Sequence, residues 1–436
     1  MATWAFSPMA AAATIGTCAS ASSLSSRRGP DQRIPVPVAS PVACRRTGML
    51  PSGSLSLGCN MTDLSTRPRP TCSPLGVSSY FDEALFAREL DVIFGRSPRY
   101  LGHCLMVPEL GDYYALPQEG EGRLLVHSQN GIELVSNVCR HRQALICRGR
   151  GSLAQNSVAP GGSIVCPIHR WTYSPSGRLL GAPQFSRDPC LDLTNYPLQQ
   201  WNGLLFERAS RDVAADLAGM SRAADLDFSG YSFDRAELHE CNYNWKTFIE
   251  VYLEDYHVVP FHPGLGQFVT CEDLEWELRP SYSVQTVGVS ARLGSAGSPV
   301  YERWQRALMQ YQNGAPLPYG AIWLTYYPNV MVEWYPHALT ISTLYPLAPQ
   351  KTLNVVEFFY PEEITAFERE FVHAQQAAYM ETCREDDEIG ERMDGGRLAL
   401  MRRGDDAFGP YQSPMEDGMQ HFHEWYLARM GERAPR

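Results

Sequence analysis

A chain of 436 residues is long enough for two or three domains and a sizeable core, and 44% hydrophobic with 19% charged residues fits an ordinary globular protein. The net charge of −11 argues against a nucleic-acid partner, and no apolar run approaches the length that spans a bilayer. Twelve cysteines without regular spacing are not a disulfide framework and fit a reducing cytoplasm better than secretion.

Residues 1–76 are dominated by Ser, Ala, Pro and Arg, with neither periodic apolar residues nor turn-bounded strands. They read as a disordered leader or a misassigned start, with Met61 a sensible beginning and no fold expected before Val77. Leu85, Phe86, Leu90, Ile93 and Phe94 then recur at helical spacing, which places an amphipathic helix in 77–96. From Tyr100 to Val138 the texture turns to short β-type runs. Arg123–His127 and Ile132–Val138 flank Asn130-Gly131, a hairpin signal, and the second run delivers Cys139 to a turn.

Cys139-Arg140-His141 and Cys166-Pro167-Ile168-His169 are two compact Cys/His pairs that can converge on one centre. Spacing leaves two readings open: a closed four-coordinate zinc site, or a [2Fe–2S] cluster with both thiolates on one iron and both imidazoles on the other. A small all-β domain over 97–210 would hold either. His103 and His127 lie nearby and read as packed or solvated histidines, and Cys147 adds nothing to a set of four.

Asp212–Asp225 reads as a linker to a larger domain over 211–436. A helical stripe runs from Asn244 to His257 with Trp245, Phe248, Ile249, Tyr252, Leu253 and Tyr256 on its apolar side. Glu254 and His257 are neighbours at i, i+3 on such a helix, while Asp255 points elsewhere. Pro260 stops the helix, so the chain can fold back and bring His262 beside His257. Two histidines at a solvated helix end would look the same. β-type runs follow at Ile322–Tyr327, Val330–Tyr335, Leu339–Tyr345 and Leu353–Phe359. Trp323, Tyr326, Tyr327, Trp334 and Tyr335 could line an aromatic or quaternary-ammonium pocket, although at least half read as core. A long helix is expected from Pro361 to Ile389, ending in the acidic run Glu385-Asp386-Asp387-Glu388, and Pro414–Met430 reads as a closing helix. His373, His421 and His423 read as packing or surface residues.

Asn-Val-Cys-Arg-His-Arg with Cys-Pro-Ile-His-Arg-Trp-Thr-Tyr resembles the Rieske domain of ring-hydroxylating oxygenase α subunits. Asn-Trp-Lys-x-Phe-x-Glu-x-Tyr-Leu-Glu-x-Tyr-His followed by His-Pro resembles the iron-binding segment of the same family, nearest to its choline- and carnitine-type branch. The resemblance implies an α+β fold: a small all-β Rieske domain plus a catalytic domain with an antiparallel sheet and long helices, of helix-grip type. It implies that Cys139 and Cys166 hold one cluster iron and His141 and His169 the other. His257, His262 and an acid five residues before Glu391, namely Asp386, would hold a mononuclear Fe(II), with Asp387 the alternative. Glu254 would bridge a cluster histidine and an iron histidine without binding metal.

The implied activity is oxygenation of a small organic substrate, aromatic or quaternary-ammonium, by one or both atoms of O2. Electrons would come from a separate NAD(P)H-dependent reductase, with or without a ferredoxin, and the chain would assemble as a homotrimer. No dinucleotide-binding glycine fingerprint follows a strand here. Two other readings compete: an electron-transfer or regulatory protein lacking a competent mononuclear site, and a zinc-stabilised binding protein. The sequence departs from the family pattern in a long interval over 142–165, where a surface loop is expected at Arg150-Gly151 and Pro160–Gly162. It also departs at Gln143, Ile168 and Arg170, where Gly, Tyr and Gly are common.

Overall fold

Alternation along the strands sets the architecture. Seven antiparallel strands form one sheet in the order Tyr231–Cys241, Lys351–Pro361, Ala338–Ala348, Val330–Tyr335, Ala321–Tyr326, Tyr282–Val289, Val269–Arg279. Side chains of successive residues point to opposite faces of a strand. On one face Ile322, Leu324, Val332, Ile341 and Phe359 pack against Tyr100, Leu205 and Phe206. On the other, Trp323, Tyr335, Phe358 and Tyr360 pack against Trp304, Phe371 and Tyr379. Both faces are therefore buried, and the central strands read as nearly continuous apolar runs.

This description comes from a computed structural model that covers residues 72–156, 161–291 and 294–431. The expected leader up to residue 71, with its start at Met61, lies outside the described residues. Cys72 bridges to Pro410 and Ser73 donates to the Gly409 carbonyl, so regular pairing begins a few residues ahead of Val77.

The segment carrying the Cys/His pairs is made of short strands. The expected hairpin forms as Arg123–Ser128 and Gly131–Ser136, inside a five-stranded sheet that also holds Arg150–Ser152, Asp112–Ala115 and Asn195–Tyr196. Ile164–Val165, Thr172–Tyr173 and Leu179–Gly181 form a three-stranded sheet behind the second pair. Arg150-Gly151 was expected in a loop. Instead Arg150–Ser152 pairs with Asp112–Tyr114 as an edge strand, and Leu153–Asn156 follows as a 3-10 turn. Gly162, at φ 72°, passes so close to Leu153 that a Cβ would lie 2.1 Å from its carbonyl oxygen. Glycine is required there.

Against the aromatic face lie the helices. Glu83–Val92 is capped by Asp82, which accepts from Leu85 N, and is flanked by 3-10 turns at Val77–Tyr80 and Phe94–Arg96. The expected helix Asn244–His257 is shorter: it spans Trp245–Tyr252, capped by Asn244, and ends at Leu253. The break thus comes ahead of Glu254 rather than at Pro260. Pro260 sits inside a new one-turn helix, Val258–Phe261, where its missing N–H costs nothing. The long helix expected over 361–389 is interrupted at Glu368, giving Glu362–Phe367 and then Arg369–Arg403, well past Ile389. The expected linker contains a short helix, Val213–Asp216, and the closing helix is Asp417–Met430.

A buried ion pair ties three of these helices. Lys246 and Glu89 side chains are both fully buried with Nζ 2.7 Å from Oε1, and Glu89 also accepts from Trp245 Nε1 at 2.8 Å and Tyr426 Oη at 2.5 Å. Removing one partner of such a pair strands the other charge, at a cost of about 3–5 kcal/mol. Lys246→Met is therefore expected to lower the unfolding free energy of the apo-protein by that order, seen as a lower urea midpoint, and Glu89→Gln combined with Lys246→Met to recover much of the loss. A midpoint unmoved by Lys246→Met would remove this pair as the tie.

Candidate active site

The two Cys/His pairs sit on the tips of tight turns. Gln143 N donates to Cys139 O and Cys139 N to Ala144 O, while Arg170 N donates to Cys166 O and Cys166 N to Trp171 O. Gln143 and Arg170 adopt φ of 54° and 61°. Those are left-handed conformations that glycine enters most easily, and these are the positions where glycine is common in the resembling family. Cys139 and Cys166 are buried and form no disulfide. His141 Nδ1 lies 3.2 Å from His169 Nδ1, and the His141 ring stacks on Trp171 at 5.1 Å and 9°. Tyr173 Oη lies 3.5 Å from Cys139 Sγ and accepts from Arg140 N. Two free thiols and two converging imidazoles suit a [2Fe–2S] centre with mixed ligation. Ile168 and Phe185 leave apolar surface exposed around this rim, with Phe185 edge-on to His141.

The second constellation is built across three elements. The turn after Tyr252 presents Glu254 and His257, the one-turn helix presents His262, and the long helix Arg369–Arg403 crosses beside them with Glu385 and Asp386. Glu254 Oε1 pairs with His257 Nδ1, while Oε2 accepts from His257 N at 3.1 Å. Glu385 Oε2 lies 2.7 Å from His262 Nδ1. A carboxylate only accepts, so each Nδ1 carries the hydrogen and each Nε2 is left as the donor atom for a metal. The two Nε2 atoms are 3.0 Å apart, and Asp386 Oδ1 lies 3.1 Å from that of His262 and 3.5 Å from that of His257. These three side chains could hold one metal ion. Asp387 turns away, with Oδ2 2.8 Å from His239 Nε2 and Oδ1 accepting from Tyr243.

The electrostatics agree with a cation site. Burial disfavours charge on both imidazoles, yet Asp386 and Glu254 push His257 up to about 10, and Asp386 and Glu385 push His262 up to about 9. Burial would raise Asp386, but the two imidazoles hold it down to about 2. A surplus of negative potential that traps protons on imidazoles also favours a divalent cation in their place.

A cavity of about 70 Å³ opens beside these residues, between the aromatic face of the sheet and the long helix. One cross-strand row, Gln285–Trp323–Glu333, forms its floor. Glu333 is buried and accepts from Tyr379 Oη at 2.7 Å and Tyr335 Oη at 3.1 Å, and burial pushes its carboxyl up to about 7. Asp255 is also raised to about 7 by burial. No lysine or arginine is among the residues lining this cavity.

Of the residues singled out in the sequence, Trp323 and Tyr335 line the cavity, whereas Tyr326, Tyr327 and Trp334 pack elsewhere in the core. His103 is buried, bonds Asn202 O and is lowered by burial to about 4; His127 Nδ1 meets Val107 O. His421 pairs with Tyr327 and His423 with Glu250. Sequence reasoning missed Glu385, Asp255 and Glu333. Only Glu333 had a usable signal: one acid in the otherwise apolar run Val-Met-Val-Glu-Trp-Tyr must be paired or functional when that strand is central.

Comparison with known proteins gives two family matches: the Rieske [2Fe–2S] domain over residues 106–199, and the ring-hydroxylating α subunit catalytic domain over 228–432. The chain is 63% identical to a putrescine 2-hydroxylase of Ralstonia nicotianae, over 84% of this chain and 98% of that one. It is 25% identical to the chloroplastic choline monooxygenase of Spinacia oleracea, over 80% and 76%. In fold it is similar to the quaternary ammonium Rieske monooxygenase CntA in complex with L-carnitine, with TM-score 0.63 and 18% identity over 83% and 96%. The zinc reading and the electron-transfer reading both fall with these matches. The chain belongs to the Rieske non-haem iron ring-hydroxylating oxygenases, as an α subunit that carries a [2Fe–2S] cluster and a mononuclear iron.

Proposed function

We propose that this oxygenase hydroxylates a short aliphatic diamine, putrescine or a close homologue, at the carbon next to an amine-bearing one. The observation that carries this reading is the cavity at His257, His262 and Asp386, which is lined by aromatic rings and carboxylates and, apart from those two histidines, by no basic side chain, neither lysine nor arginine, among the described residues. The 63% and 58% identity to two putrescine 2-hydroxylases supports it. An aromatic hydrocarbon would leave Asp255 and Glu333 buried without a cationic partner, which is costly. A single quaternary ammonium would compensate one of them.

Cys139 and Cys166 bind one cluster iron and His141 and His169 the other; His257, His262 and Asp386 bind the mononuclear iron. When bound, these groups supply electrons singly and activate dioxygen, so that one C–H bond becomes C–OH and the second oxygen atom leaves as water, at the expense of two electrons and two protons. The chain's own residues orient and exclude. Glu254 and Glu385 fix the imidazole tautomers, the Trp and Tyr walls keep bulk water from the reacting carbon, and Glu254 is a positioning residue between the two centres.

We assign 97–210 to the cluster and 211–436 to the iron, with 77–96 packed on the latter. The electrons come from a separate NAD(P)H-dependent reductase in the cytoplasm. A homotrimer, with one subunit's cluster facing its neighbour's iron, accounts for the exposed Ile168 and Phe185 at the cluster rim and the exposed Tyr256 and Val259 beside His257.

Replacing His257, His262 or Asp386 with Ala is expected to deplete mononuclear iron while leaving the visible spectrum of the cluster intact; Asp387→Asn is expected to keep both. Iron content and absorption spectra check this, and iron loss in Asp387→Asn with retention in Asp386→Ala would reverse the choice of acid. Glu254→Gln keeps the shape but loses the charge on the His257 partner. Both metals are expected to remain, with reoxidation of the reduced cluster by O2 slowed about 10–100-fold in the presence of substrate. Unchanged reoxidation in rapid mixing would show that Glu254 plays no part between the sites.

A further inference from the structure

Polar atoms deep in a protein are nearly all paired, so unpaired ones gathered in one place need an explanation. Around the cavity, the Tyr252 hydroxyl, both carboxylate oxygens of Asp255, Gln285 Oε1 and Trp304 Nε1 are buried with no hydrogen-bond partner among the described residues. Tyr252 lies beside Glu333 and Gln285 beside Asp255, close enough to influence the carboxyls but short of hydrogen-bond geometry. Glu254 and Asp386 are committed to the two histidines. Asp255 and Glu333 are left as two further acids without a cationic partner in the same cavity, on different elements: Asp255 on the turn that carries His257, Glu333 on the sheet floor.

We propose that Glu333, seated between Tyr335 and Tyr379 with the Tyr252 hydroxyl beside it, is the specificity-determining residue that receives the distal primary ammonium of the substrate, while Asp255 receives the ammonium nearest the iron. This rests on the diamine reading given above and adds the residues that enforce it. The chemistry matches at both ends. A primary ammonium carries three N–H donors and no acceptor. It can donate to the Glu333 carboxylate and to the Tyr252 oxygen while resting against the Tyr335 or Trp323 ring. A trimethylammonium group has no N–H to donate and would leave the Tyr252 oxygen unpaired. Hydroxylation next to the amine-bearing carbon places one ammonium close to the metal, where Asp255 lies two residues from His257. The other ammonium then extends toward the sheet, where Glu333 waits with both oxygens already aimed by tyrosine hydroxyls. Two acids without counterions on different walls of one cavity are neutralised by a dication; a monoamine leaves one acid stranded.

The test compares putrescine with 1-aminobutane in the wild-type holoenzyme, in Glu333→Gln and in Tyr252→Phe, with a reductase supplied. Equilibrium dialysis of labelled putrescine is run in parallel under anaerobic conditions. The wild type is expected to bind putrescine and prefer it strongly. In Glu333→Gln the preference in kcat/KM should fall about 10–100-fold, with weaker putrescine binding as the main cause, and in Tyr252→Phe it should fall less but measurably. A purely structural role would lower both substrates together and leave the ratio unmoved. If the wild type hydroxylates putrescine and the ratio survives Glu333→Gln, the assignment of Glu333 is overturned and the diamine reading stands. If the wild type neither binds nor hydroxylates putrescine, both are overturned. Should Glu333→Gln fail to fold, an unchanged ratio in Tyr252→Phe overturns the assignment by itself.

Discussion

Two carboxylate–imidazole pairs organise the active site. Glu254 takes the Nδ1 hydrogen of His257 and Glu385 that of His262, and only because of this do both Nε2 atoms face the same point as Asp386. A ring held at one nitrogen loses its freedom to rotate or switch tautomer, so the other nitrogen is fixed in direction. The two supporting acids come from different parts of the chain. Glu254 is local to its histidine, whereas Glu385 arrives on the long helix. That helix therefore contributes an acid to the centre and a support for one of its histidines from adjacent positions, 385 and 386. A rotation of the helix by one residue would exchange both at once.

The seven-stranded sheet serves two purposes through its two faces. One face carries the cluster-bearing part by mixed aliphatic and aromatic packing and by a buried bond from Tyr100 Oη to Glu357 at 2.6 Å. The opposite face is the wall of the cavity. Because neighbouring residues on a strand point in opposite directions, Val332 and Trp334 belong to the first purpose, and Glu333 and Tyr335 to the second. Residues of the cavity floor can thus vary independently of the contacts that seat the cluster-bearing part.

Low dielectric makes charge costly in the cavity. Charges that would be screened in water act strongly between buried groups, and an uncompensated acid is unstable there unless a ligand brings the opposite charge. The residues nearest the proposed iron are already neutralised by imidazole. The remaining acids are not, and they sit among rings whose faces favour cations.

The sequence by itself offered the candidate ligands, because the compact pairs around Cys139 and Cys166 and the Glu-x-x-His segment are local motifs of metal-binding residue types; spacing left zinc and an iron–sulfur cluster both open, and the family matches closed that choice. The sequence also determined the hairpin around Asn130-Gly131 and the strand runs from Ala321 to Phe359, where turn residues and β-branched or aromatic side chains act over short range. It overran the helix at Asn244–His257, since the apolar stripe continues past Leu253 while the chain turns there to bury Asp255 and bond Met415 O. Tertiary structure alone decided which of Asp386 and Asp387 faces the histidines, because adjacent residues on a helix differ by about 100° and only the neighbour across the gap reveals the direction. It alone brought Glu385 to His262, and Glu333 and Asp255 to one cavity, because those meetings join segments more than a hundred residues apart or elements on opposite walls. It also separated Trp323 and Tyr335 from Tyr326, Tyr327 and Trp334. All five have the composition of a pocket wall, and only the pairing of the strands shows which face each one occupies.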